Sequence, residues 1–141
     1  MSKNPLINLT EINLDDLVSS FGWQDHRMAA FLLRLFFTGA ARKFAMQMLE
    51  FDDLVSRYEL PGGSKMALDR FASNLELSGT ENIPKDGPVL FLSNHPGMVD
   101  TLALFSAINR NDLQIIALNR PFLVSLPAVA RHLFFLSEDS V

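Results

Sequence analysis

Val89-Leu90-Phe91-Leu92-Ser93-Asn94-His95-Pro96-Gly97-Met98-Val99-Asp100 carries the decisive change of pattern in this chain. Four continuous apolar residues read as a buried strand. Asn94 to Gly97 then forms a turn, because Pro-Gly breaks regular structure. Val99–Ile108 follows with helical spacing, closed by the polar run Asn109-Arg110-Asn111-Asp112. A second buried-type strand is expected over Leu113–Leu118 and a further one over Leu133–Leu136. Pro121–Arg131 between them is mixed, with Pro127 as a boundary. Strand, helix, strand in this order predicts an α/β sheet.

Upstream the pattern is different. Residues 1–12 read as an irregular lead-in, and Thr10 or Asn13 as the cap of a short helix through about Phe21. Asp25 is placed to cap a longer helix over about His26–Leu49. Arg27, Arg34, Thr38 and Arg42 fall near one side of it, and Phe31, Leu35, Phe36 and Phe37 belong to a broad apolar arc. That arc suits either a helix buried on most sides or one lying in a bilayer interface. Leu60-Pro61-Gly62-Gly63 is a turn signal, Ser64–Phe71 a short helix, and Asn74–Ser78 alternates as a strand would. The expected organisation is therefore a helical N-terminal region over 1–72 and an α/β region over 73–141.

Composition narrows the function classes. The chain has 141 residues, 48% of them hydrophobic, and a net charge of −4. The acidic balance argues against general nucleic-acid binding, which wants a basic patch. The absence of cysteine excludes disulfides, thiolate metal sites and a cysteine nucleophile. No signal peptide is expected from the polar, acidic start. No apolar run reaches the roughly 18–20 residues that span a bilayer. The His, Asp and Glu residues show no metal-ligand spacing, and no metal is expected.

His95 and Asp100 are the candidate chemical pair. A carboxylate in the first helical turn can bond one imidazole nitrogen and leave the other free to take a proton. A hydroxyl would be the natural proton donor. Taken singly, each residue has a plainer role, His95 as a loop residue and Asp100 as a helix-start charge.

Leu75 to Phe122 resembles the glycerolipid acyltransferases, the family that includes lysophosphatidic acid acyltransferase. The resemblance rests on Asn94-His95 followed by four residues and Asp100. Leu75-Glu76-Leu77-Ser78-Gly79, Glu81-Asn82-Ile83-Pro84 and Gly87-Pro88-Val89-Leu90-Phe91-Leu92-Ser93 lead up to it. It implies acyl transfer from a coenzyme A or acyl carrier protein thioester to a glycerophosphate or lysophospholipid hydroxyl. His95 would be the base and Asp100 its orienting partner. Asn94, Pro96, Gly97 and Arg120 would bind substrate, with no cofactor beyond the acyl-CoA or acyl-ACP co-substrate. The resemblance also implies an acyl-chain tunnel and peripheral attachment to the cytoplasmic face of a membrane. Arg27, Arg34, Phe36, Phe37 and Arg42 would then be the contacts.

The family's second motif, with an arginine for acceptor phosphate, is not found at Ser137-Glu138-Asp139-Ser140-Val141. Its Phe-Pro-Glu-Gly motif is also absent. The resemblance therefore implies the N-terminal part of a longer enzyme, with an incomplete, truncated sheet flanked by helices and a tendency to associate. The alternatives are a non-catalytic membrane-binding module or inactive remnant, and a hydrolase using the same pair.

Overall fold

The structure is a computed structural model that describes residues 4–72, 75–94 and 97–137. Helix α1 spans Pro5–Ser20 and α2 spans Arg27–Leu68. After a 3-10 turn at Thr80–Asn82 come α3 (Met98–Ile108), β1 (Ile115–Leu118), α4 (Pro121–Val124), α5 (Pro127–Ala130) and β2 (Leu133–Leu136). Helices dominate, and β1 and β2 form a two-stranded parallel sheet in which Ile115 pairs with Leu133 and Leu118 with Leu136. Residues 119–132 supply the long crossover that parallel neighbours require.

The N-terminal expectation is corrected. Residues 5–12 are helical, because Asn4 caps α1 by accepting the Leu6 N–H at 2.9 Å and Pro5 occupies its first turn. Thr10 lies inside that helix and returns its hydroxyl to the Leu6 carbonyl at 2.6 Å. Asn13 reaches across to the Ala41 carbonyl at 3.5 Å. At the start of α2 the cap position is His26 rather than Asp25, and it makes no side-chain cap bond.

Helix α2 runs on well past Leu49. It bends at Glu59, which has φ 57° and ψ 175°. Side chains avoid that backbone region, so the bend stores strain. Pro61 then sits in the first turn of the second arm, where its missing N–H costs nothing. The bend falls one residue before the expected turn. Gly63 explains how tightly it closes: a Cβ there would lie 2.8 Å from the Val55 nitrogen on the first arm.

One core unites residues on both sides of position 72. Leu9, Met48, Val55 and Leu60 from α1 and α2 pack with Leu126 and Val129 near α5. The rings of Phe44 and Phe122 stack at 5.7 Å. The carboxylate of Asp52 is buried and accepts the N–H groups of Ala128 and Val129 at 2.8 and 2.9 Å.

The expected sheet is smaller than the sequence suggests. Residues 75–78 and 89–92 lie outside any strand, although the latter is the apolar run that reads most clearly as one. Leu90 and Leu92 are 76% and 87% exposed, so among the described residues the run has no ladder partner and these two side chains have no apolar cover. The strands at 115–118 and 133–136 follow the expectation closely, as does α3.

Candidate functional site

The first turn of α3 begins the site. Gly97 stands at its cap position in extended backbone, and its carbonyl accepts the Thr101 hydroxyl at 3.1 Å. Asp100 follows in that turn, solvent-exposed, where the helix dipole favours a negative charge. Asn94 is exposed at the end of the preceding extended segment. His95 and Pro96 lie outside the described residues.

Asn94 and Asp100 both border a cleft of about 1410 Å³ between α2, α3, β1 and the 89–92 segment. Its walls are mainly apolar, with Leu54, Leu90, Phe91, Leu102 and Ile115 among them. The volume exceeds the roughly 300–1,000 Å³ of an ordinary small-molecule pocket. Arg120 is exposed at the start of α4.

Two ion pairs stand at the wall of the cleft. Arg70 pairs with Glu50 across the bend of α2. The hydrogen bond from Arg70 holds the Glu50 carboxyl below its ordinary pKa, against a smaller opposing effect of desolvation. Arg110 grips Asp112 with two bonds, 2.8 and 2.6 Å, and donates a third to the Pro84 carbonyl at 3.1 Å. That grip lowers the Asp112 pKa in the same way. Sequence reasoning missed these four residues as site neighbours.

Among the described residues no group of His, Asp and Glu could hold a metal ion. No family model, curated protein or solved structure matches the chain.

The expected membrane contacts divide. Phe36 and Phe37 are exposed on α2, as are Arg27 and Arg42. Arg34 differs from the expected free basic stripe. It turns toward α1, where it lies 2.8 Å from Glu11 and also bonds Asp15. Among the described residues no helix is long and apolar enough to cross a membrane.

Proposed function

We propose that this chain is, or belongs to, an acyltransferase that moves a fatty acyl group from a coenzyme A or acyl carrier protein thioester to a glycerophosphate or lysophospholipid hydroxyl. The observation that carries the reading is Asp100, exposed in the first turn of α3 on the border of a large apolar cleft. A carboxylate beside apolar space suits a substrate with one polar reacting end and a long hydrocarbon tail. The His95 spacing supplies the rest.

In this mechanism His95 takes the proton of the acceptor hydroxyl while Asp100 orients its imidazole. The hydroxyl oxygen bonds to the thioester carbonyl carbon and forms a tetrahedral oxyanion. Backbone N–H groups at the start of α3 favour that negative charge. Collapse breaks the carbon–sulfur bond, and the leaving thiolate takes its proton from the imidazolium. The ester and the free thiol are the products. Asn94, Pro96 and Gly97 are assigned in this reading to binding the reacting end of the substrate. An acyltransferase-like sheet, with 89–92 as one of its strands, belongs to the same proposal. So do peripheral attachment to the cytoplasmic face of a membrane and, for Arg120, contact with the acceptor or donor.

Thiol release from acyl-CoA with a lysophospholipid acceptor tests the reading. His95→Ala and Asp100→Asn are expected to cut turnover by about 10²–10⁴-fold. Equal rates in parent and variants would sink it.

A second reading is a membrane-binding module without turnover. The exposed apolar side of α2 favours it. Vesicle binding with no thiol release under any donor would select it.

A further inference from the structure

Helix α2 carries a repeat that its packing against α1 does not use. Met28, Leu32, Leu35, Gly39 and Arg42 recur at alternating steps of four and three residues. A mean step of 3.5 residues is the pattern of a coiled-coil seam. All five residues are exposed. Met28 is 78% exposed, Leu35 63% and Leu32 46%, and Phe31 and Phe36 flank the seam at 64% and 78%. Arg34 and Ala41 mark the opposite side of the helix, where they bond Glu11, Asp15 and Asn13. Helix α1 therefore leaves the seam open.

The seam is complementary to itself when a second copy is laid against it end for end. With the two-fold axis between Leu33 and Arg34, Leu32 falls opposite Leu35 and Met28 opposite Gly39. A large side chain thus meets the one position without any. A Cβ at Gly39 would meet nothing within 4 Å in its own chain, so there is room for the second copy's Met28. Asp25, exposed just before α2, comes toward the second copy's Arg42 and Lys43, while Arg27 turns to the α1 side. A parallel pair would behave differently. It would set Arg42 against Arg42 and leave Gly39 facing Gly39 as an empty layer. Each contact of the antiparallel pair occurs twice, which closes the assembly at two copies. At about 150–200 Å² per large side chain, the exposed parts of Met28, Phe31, Leu32, Leu35 and Phe36 amount to roughly 500–650 Å² in each copy. Two copies would bury about 1,000–1,300 Å² of apolar surface, which reaches the area a specific interface needs.

We propose that the chain pairs with a second copy of itself through an antiparallel α2–α2 seam centred between Leu33 and Arg34. The proposal goes beyond acyl transfer and does not rest on it. What favours a second copy over other occupants is position. An apolar layer needs only that the face be exposed and makes no use of register. The matches of Met28 with Gly39 and of Asp25 with Arg42 arise in one register of this helix against itself. The contact is also separate from any association through the small sheet, which stands in another part of the fold.

The chain has no cysteine, so introduced thiols report the register directly. On one helix, residues 28 and 39 stand about 16 Å apart. A disulfide reaches at most about 7 Å between Cα atoms, so a bond between these positions joins two copies. The expected result is a covalent dimer when Met28→Cys and Gly39→Cys are combined in the full chain and oxidised, and little with either alone. Sedimentation equilibrium of the unaltered chain should show the mass rising with concentration from 15.8 kDa toward twice that value. Leu32→Glu sets a carboxylate against the second copy's Leu35 and should weaken association at least about a hundredfold. Phe37→Gln, on the other side of α2, should leave it within about twofold. Circular dichroism checks that both variants keep their helices. Efficient cross-linking by Met28→Cys alone would overturn the antiparallel register. Association unchanged by Leu32→Glu would put the contact elsewhere and overturn the seam. A chain that stays at 15.8 kDa at every concentration would overturn the pairing altogether, and its binding to phosphatidylcholine vesicles would then give the face to lipid. None of these readouts depends on thiol release, which decides the acyl-transfer reading on its own.

Discussion

Asp52, on α2, accepts the backbone N–H of Ala128 at 2.8 Å, and the same oxygen accepts that of Val129 at 2.9 Å. A helix of four residues has too few internal bonds to stand alone. Pro127 has no N–H to satisfy, so the next two amides of α5 are the ones that need an acceptor. Asp52 serves both from another helix. Replacing it with Ala leaves two buried donors unpaired, and the expected cost is about 3 kcal/mol. Asn keeps one acceptor oxygen and should cost about 1 kcal/mol. Urea unfolding of the two variants checks the difference, and equal midpoints would remove this role for Asp52.

Gly63 and Gly39 make an opposed pair. A Cβ at Gly63 would press on Val55 backbone, which cannot move aside as a side chain can. Gly63→Ala should destabilise by about 1–3 kcal/mol. A Cβ at Gly39 would meet nothing within 4 Å, and the residue is inside α2. Gly39→Ala should stabilise by about 0.5–1 kcal/mol. Thermal unfolding of both variants reads the opposite signs directly.

Glu59 holds the bend of α2 in a conformation that suits glycine. Its carboxylate lies 3.6 Å from the buried His132 ring, too far for a hydrogen bond. Relief of backbone strain should therefore outweigh that contact. Glu59→Gly is expected to gain about 1 kcal/mol, the balance of strain relief against added unfolded-state entropy. A lower midpoint for the variant would show that the side chain matters more than the backbone.

The Glu50–Arg70 pair gives a pH dependence with a definite sign. Hydrogen bonding to Arg70 depresses the folded-state pKa of Glu50. Its contribution is present above the ordinary glutamate range and is lost as pH falls through the lowered value. Arg110 does the same for Asp112. Arg70→Gln should remove the Glu50 part, so the fall of Tm between about pH 5 and about pH 3 becomes shallower than in the parent. Both side chains are exposed, and high salt should reduce the contrast.

The sequence was most legible where short-range signals and packing agree. Leu133–Leu136 and α3 have apolar runs closed by turn formers, and the structure keeps them. Helix α1 escaped because its start signal, Asn4-Pro5, stands in a polar stretch that resembles a lead-in. Val89–Leu92 has the composition of a strand, yet a strand exists only through a partner, and local sequence cannot supply one. Asp100 was singled out by its spacing to His95, and the structure places it on the border of the cleft. Glu50 and Arg70 were not, because only the bend at Glu59 brings residues 20 apart into contact. The inward turn of Arg34 was equally hidden, since it depends on where α1 packs.

The Asp52 contact spans 76 residues of chain to Ala128. At a synthesis rate of about 5–20 residues per second, Ala128 leaves the ribosome's catalytic centre roughly 4–15 s after Asp52. Throughout that interval the Asp52 carboxylate stays hydrated, and Val55 and Leu60 lack their packing partners Leu126 and Val129. The bent helix therefore cannot mature on its own during translation. Its consolidation waits until Ala128 and Val129 have emerged.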